Sequence, residues 1–314
     1  MSSDVSALFE PLSIRHKVLR NRIVLPPMVV NRNLAGSDGV DWYARRAQGG
    51  VAVMIVEATD VGRFGRDLTA ENLKPLVDGV HAAGALIAIQ LFPTVRVKRV
   101  TPAELAPEAI TGILDNYRRA TDVCARAGFD GVEPHGAHGY VLNQFFSPVQ
   151  NLRTDGYGGD MVGRMRMATE VVQAVKAVAG DDMLLFYRHT PVGQGYGIDE
   201  SLVLAEALVA AGVDVLDLSP SSSEAPGDRA APFRSLGVPV IAVNELDEVD
   251  RALEVLNEGR ADLVAVGRGM IADPDWPVKT KEGRFDDIVR CIRCDGCHAD
   301  LGRGVAVGCT QWSE

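Results

Sequence analysis

The sequence has no uninterrupted apolar run near the ~18 residues that a membrane-spanning helix needs, so no spanning segment is expected. Its opening, Met1 to Glu10, carries neither the basic stretch nor the apolar stretch of a secretory leader. Positive charge is not in excess: 32 lysines and arginines face 42 aspartates and glutamates, a net charge of −10. That balance argues against nucleic acid or an anionic membrane surface as a partner. No G-x-G-x-x-G follows an early strand, so the main signature of a doubly wound dinucleotide-binding sheet is missing. No low-complexity linker divides the chain. Before Cys291 there is a single cysteine, Cys124.

The cysteines that are present are concentrated. Four of the five lie between Cys291 and Cys309, and Cys291, Cys294 and Cys297 form C-x-x-C-x-x-C. Thiolates at this spacing, with Cys309 as a fourth, suit a 4Fe–4S cubane. A structural zinc site usually pairs two C-x-x-C hairpins, and a disulfide framework belongs to small secreted chains. Zinc and a metal-free segment stay open as alternatives. A cluster implies one-electron redox chemistry and an electron partner. Clustered thiols without an export signal point to the reducing cytoplasm. Cys124 sits in a helical stretch, Tyr117 to Ala127, and reads as a small buried hydrophobe.

With 46% apolar residues the chain can bury a large core. Eight short apolar runs recur along it: Ile23–Leu25, Val53–Val56, Leu86–Gln90, Gly131–Glu133, Leu184–Arg188, Val213–Leu218, Val238–Val243 and Leu263–Val266. Helical patterns separate them, among them Ala70–Ala83, Ala109–Ala127, Val162–Ala179, Glu200–Ala211 and Leu246–Glu258. Several end on the stop expected at a helix C-terminus: Ala83-Gly84, Ala127-Gly128, Ala211-Gly212 and Glu258-Gly259. Eight β–α repeats in one α/β domain predict a single TIM (β/α)8 barrel over 1–285, with the cysteine-rich segment 286–314 packed on it.

Such a barrel builds its site at the C-terminal ends of its strands. Gly267 and Arg268 follow the eighth run and Asn244 the seventh, the corner where barrels commonly hold a phosphate. An ordinary turn with a surface arginine is the competing reading. Gln90 and Arg188 end the third and fifth runs. A buried arginine needs an acceptor-rich partner, either the pyrimidine edge of a flavin or a buried carboxylate. After the fourth run comes His135-Gly136-Ala137-His138-Gly139-Tyr140. Two imidazoles converging on one oxygen can polarise a carbonyl, and a nearby phenol can donate a proton. No carboxylate completes a metal triad with the two histidines, and Glu133 is expected only to orient His135.

Together these residues resemble the flavin-dependent Old Yellow Enzyme family. The resemblance runs from Leu8-Phe9 and Asn21-Arg22-Ile23-Val24, through Pro26-Pro27-Met28, to Asp130-Gly131-Val132-Glu133 and His135 to Tyr140. It continues in Asn143-Gln144-Phe145, Ser147-Pro148, Asn151, Arg153-Thr154-Asp155, Tyr157-Gly158-Gly159, Ala261-Asp262, Gly267-Arg268 and Ala272-Asp273-Pro274. The terminal cysteines narrow it to the Fe–S branch typified by 2,4-dienoyl-CoA reductase and trimethylamine dehydrogenase.

The resemblance implies FMN across the barrel mouth, touched by Pro26, Pro27, Met28, Val29, Ala58, Gln90, Arg188, Gly267 and Arg268. It implies that His135 and His138 hold a substrate carbonyl oxygen and that Tyr140 donates a proton. Val29 stands where relatives carry Thr or Cys, Phe92-Pro93 stands where many carry His, and the short Gln90–Ile110 stretch implies a reduced lid. The flavin- and nicotinamide-binding domains of Fe–S relatives are not expected here. The expected reaction is therefore reduction of a C=C bond conjugated to a carbonyl. Electrons would come from a ferredoxin or a separate reductase chain, with NAD(P)H as an indirect source. The alternatives are an amine dehydrogenase or demethylase, and an electron-transfer subunit of a larger complex. Homo- and hetero-oligomers both stay open.

Overall fold

The computed structural model describes residues 4–93, 101–220 and 229–312. Part of the short stretch read as a reduced lid, 94–100, lies outside them. A one-turn helix, Ser6–Phe9, leads into a hairpin, β1 (Leu12–Ile14) and β2 (Lys17–Leu19), which sequence patterning did not anticipate. Eight parallel strands follow: β3 (Ile23–Leu25), β4 (Val53–Asp60), β5 (Leu86–Phe92), β6 (Gly131–Gly136), β7 (Leu184–His189), β8 (Val215–Leu218), β9 (Val240–Ala242) and β10 (Leu263–Ala265). They close into a barrel in chain order, with β10 paired to β3. The fold is the expected TIM barrel.

The strands read as continuous apolar runs because both of their faces are covered. Val24, Val53, Ile55, Ala88, Leu184, Phe186, Val215, Ile241 and Leu263 fill the interior. Their alternate neighbours, such as Met54, Val56, Ile89, Leu185 and Leu216, pack outward beneath the helices. Helices end where the sequence placed their stops: Gly84, Gly128, Gly212 and Gly259 have φ of +75°, +94°, +113° and +66°. Strands β4, β6 and β7 run longer than the apolar pattern, because polar and glycine residues continue the ladder toward the mouth.

The hairpin closes the opposite end. Ile14 and Leu19 join the interior cluster. Lys17 Nζ lies 2.8 Å from Asp130 Oδ1, just ahead of β6, and Arg15 pairs with Asp181 and Asp214. With the N-terminal end plugged, the open mouth is the one at the C-terminal ends of the strands.

At the end of β6 the packing leaves no room for a side chain. A Cβ on Gly136 would lie 2.0 Å from Tyr187 Oη, inside the fully buried ring of the next strand. Gly136→Ala is therefore expected to destabilise the barrel by about 1–3 kcal/mol or more, the range for overpacked cores. Chemical denaturation would read this as a lower midpoint. An unchanged midpoint would show that Tyr187 can move aside.

Candidate active site

The loop after β6 is held in an unusual shape. His138 adopts φ +59°, a left-handed conformation uncommon outside glycine. Its N–H donates to Thr190 Oγ1 at 3.0 Å, and the next N–H, of Gly139, donates to Asn143 Oδ1 at 2.9 Å. Asn143 Nδ2 donates to Tyr196 Oη at 2.7 Å, and that hydroxyl donates to Thr190 O at 3.1 Å. Asn143, Thr190 and Tyr196 thus form a scaffold that fixes the loop.

The scaffold brings the three candidate catalytic groups together. The rings of His135 and His138 lie 5.4 Å apart, and Tyr140 lies 4.8 Å from His135 and 5.7 Å from Phe92. His135 is buried, whereas Tyr140 is 47% exposed at the mouth. Burial, then His138 and Arg188, push the His135 pKa well down, so the ring is neutral at physiological pH. His138 is open on one side, yet its Nε2 turns inward to Ser219 Oγ at 2.9 Å. Burial of that inner side, then the Arg188 charge, move its pKa down as well. Both rings are therefore set up as neutral donors.

Beneath this loop lies a polar layer inside the barrel. Gln90 Nε2 donates to Glu133 Oε1 at 2.8 Å. Arg188 Nη2 donates to Ser219 Oγ at 2.9 Å, and its Nη1 lies 3.3 Å from Asp217 Oδ2. Gln90, Glu133, Arg188, Asp217 and Ser219 are all buried. Arg188 thus has the carboxylate neighbour that was the alternative to a ligand, yet its Nε and Nη1 have no hydrogen-bond acceptor. Glu133 does not orient His135 as expected: it engages Gln90, and His135 Nδ1 has no hydrogen-bond partner. Asp217 was missed by sequence reasoning. Its signal was a charge in phase with the inward-facing Val215 of β8.

The other predicted residues lie on β4 or just after β3, β9 and β10. Pro26 is buried, Pro27 and Met28 are half-buried, and Val29 is 40% exposed. Ala58 is half-buried and falls at a register shift of β4 between Val56 and Thr59. Glu57, beside it, binds the Val30 N–H at 2.5 Å and so ties the turn after β3 to β4. Asn244 has φ +113° in the loop after β9, and Gly267 opens the short helix Arg268–Ala272. A Cβ on Gly267 would lie 3.2 Å from Met28 Sδ, so the β3 turn and the β10 corner meet there.

The cysteine segment lies against this side of the mouth. Val307 N–H donates to Val30 O at 2.9 Å, and Asn31 and Arg32 side chains donate to Val305 O and Val307 O. Arg293 bonds Glu245 and Asp247 in the loop after β9, and Trp312 Nε1 reaches Ala272 O. Between Cys291 and Cys297, Arg293 and Asp295 adopt left-handed φ of +53° and +56°. Cys291, Cys294, Cys297 and Cys309 all line one small cavity, whose wall includes Arg268. Among the described residues, as placed, no three His, Cys, Asp or Glu side chains converge closely enough to hold a metal ion. Cys124 is fully buried elsewhere, and burial alone drives its thiol pKa up, as expected of a packing residue.

The NADH:flavin oxidoreductase / NADH oxidase family matches residues 7–100 and 94–287. This chain belongs to that family. An NADH oxidase of Thermoanaerobacter brockii is 35% identical over 92% of this chain and 53% of its own length. An NADPH dehydrogenase of Listeria innocua is 32% identical over 88% of the chain and 95% of its own length. Histamine dehydrogenase from Rhizobium sp. 4-9 superposes with a TM-score of 0.85 at 26% identity, over 98% of this chain and 52% of that one. The chain spans about half the length of the NADH oxidase. The four clustered cysteines lie beyond the family match, which ends at residue 287.

Membership of a flavin oxidoreductase family can be set against the donors present. Arg188 offers buried N–H groups without acceptors, which suits the carbonyl-rich edge of a flavin. Gly267 leaves backbone accessible next to Met28, and Arg268 stands beside it as a cation. These residues fit a flavin mononucleotide. The four cysteines that line one cavity carry the donor type of an Fe–S cluster. Among the described residues no helix is long and apolar enough to cross a membrane.

Proposed function

We propose that this chain is an FMN-dependent reductase of C=C bonds conjugated to a carbonyl, with electrons passing through a 4Fe–4S cluster on Cys291, Cys294, Cys297 and Cys309. The observation that carries the reading is the convergence of two neutral imidazoles and a phenol on one strand-end loop. FMN, when bound, supplies redox chemistry that can accept electrons singly or in pairs and return them as a pair. Pro26, Pro27, Met28, Val29, Ala58, Gln90 and Arg188 would hold its ring end. Asn244, Gly267 and Arg268 would hold its phosphate.

His135 and His138 would donate to the substrate's carbonyl oxygen as negative charge develops there. Being neutral, they give up no proton and stay donors through the reaction. Their fixed orientation avoids reorganisation when the charge appears. Tyr140, exposed toward the mouth beside His135, would deliver the proton to the α-carbon. Arg268 borders both the phosphate corner and the thiol cavity, which supports a cluster close to the flavin. A ferredoxin or a separate reductase would feed that cluster.

Tyr140→Phe tests the reading. Enone turnover is expected to fall by the ~10²–10⁴-fold typical of losing one general acid. Flavin reduction by the electron donor should be unchanged, because the phenol acts only on the substrate. Wild-type turnover by Tyr140→Phe on every enone tested would remove the proton-donor role. Rapid oxidation of amines without enone reduction would favour the amine dehydrogenase reading.

A further inference from the structure

The polar layer under the mouth contains two carboxyl groups and one cation. Glu133 and Asp217 are 0% exposed, on neighbouring sides of Arg188. From β5 Gln90 faces Glu133, from β7 Arg188, from β8 Asp217, and along its own strand His135, with His138 beyond. Both histidines are held neutral, so Arg188 is the only cation among these groups. Two ionised carboxylates would leave one buried negative charge without compensation, which is very costly. Glu133 Oε2 and both Asp217 oxygens also lack any donor. One proton shared between the two groups removes the excess charge and supplies the missing donor.

We propose that Glu133 is a positioning residue that carries this proton and donates it to Asp217. The contacts then form one directed chain across the barrel. Gln90 Nε2–H donates to Glu133 Oε1, Glu133 Oε2–H donates to Asp217, and Asp217 faces Arg188. Arg188 donates to Ser219 Oγ, and the Ser219 hydroxyl donates to His138 Nε2. Two consequences reach the mouth. Gln90 has its amide nitrogen anchored on Glu133, so its carbonyl oxygen is the end left for a ligand. His138 accepts at Nε2, so its Nδ1 carries the proton. Burial and the Asp217 charge push the Glu133 pKa well up against the pull of Arg188. Burial also raises Asp217, but Arg188 and the bond from Glu133 oppose it. Asp217 is the carboxyl that lies 3.3 Å from Arg188 Nη1, so it keeps the charge and Glu133 keeps the proton.

The inference rests on the flavin reading only for what Gln90 and His138 face. The proton itself is testable without flavin. Infrared spectra of flavin-free protein at pH 8 should show a protonated carboxyl stretch that shifts when glutamate is isotopically labelled and not when aspartate is, and that is absent from Glu133→Gln. Absence of that band in wild type, a shift on aspartate labelling alone, or its retention in Glu133→Gln would overturn the assignment. Stability gives a second readout. A raised folded-state carboxyl pKa means the native state binds more protons than the unfolded state above the ordinary glutamate range, so stability falls as pH rises. Glu133→Gln removes this slope and keeps the donor and the acceptor. Its melting temperature should therefore gain on wild type from pH 5 to pH 8, and a constant difference would count against the proposal. For positioning, Glu133→Gln should bind FMN like wild type, whereas Glu133→Leu, which frees the Gln90 amide, should bind at least tenfold more weakly. Equal affinities would remove the positioning role. If Glu133→Leu fails to fold, His138 decides it: nitrogen NMR should find its proton on Nδ1 in wild type and in Glu133→Gln, and a proton on Nε2 in wild type would contradict the chain.

Discussion

Arg188→Ala is expected to purify with little or no flavin. The guanidinium has buried N–H groups without acceptors, and a ligand edge rich in carbonyl oxygens is what they could serve. Hydrogen bonds to a charged group contribute ~1.5–3 kcal/mol each, so losing even one should weaken FMN binding about 10- to 100-fold. The variant also strands Asp217. Removing one partner of a buried ion pair costs about 3–5 kcal/mol, so part of the effect will be on folding. Arg188→Lys separates the two causes. It keeps a charge near Asp217 but loses the planar fork, so stability should recover further than flavin affinity does. Quenching of FMN fluorescence during titration of apoprotein gives the affinity. Wild-type affinity in a folded Arg188→Ala protein would remove Arg188 from the flavin site.

Replacing Cys291, Cys294, Cys297 or Cys309 by Ser should remove the metal centre, while Cys124→Ser should leave it intact. Wild type is expected to hold about four iron and four sulfide per chain, as for a cysteine-ligated cubane. The exposed Cys294 is the most informative position, because its thiol touches little besides Thr310 Oγ1 at 3.2 Å. Its loss should therefore empty the site without disturbing the barrel. Enone turnover with a one-electron donor should fall to near background, while FMN stays bound. One zinc per chain and no sulfide would rule the cluster out. A full iron and sulfide complement in Cys294→Ser would exclude that residue as a ligand.

The barrel was legible in the sequence because its strands are short apolar runs and its helices stop on glycines that need positive φ. The hairpin was not, because Leu12–Ile14 and Lys17–Leu19 are three residues each and too short for alternation to register. The mouth residues were found by position, since the fold puts function directly after each strand. What position could not give was their pairing. Gln90 looked like a ligand group on its own, yet its amide is anchored on Glu133 across the β5–β6 pair. Arg188 posed a choice between carboxylate and ligand, and Asp217 supplies the first while the arginine's unpartnered N–H groups leave room for the second. The scaffold of Asn143, Thr190 and Tyr196 joins residues up to 53 apart, a separation that no local pattern encodes.

The most direct measurement is the visible spectrum of the anaerobically purified protein before and after dithionite, with the released flavin identified. The account predicts flavin bands over a broad Fe–S absorbance. Both should bleach on reduction, FMN rather than FAD should be released, and the flavin bands should return when a cyclic enone is added. A colourless protein that takes up no FMN, or a flavin that stays reduced with every enone, would contradict it.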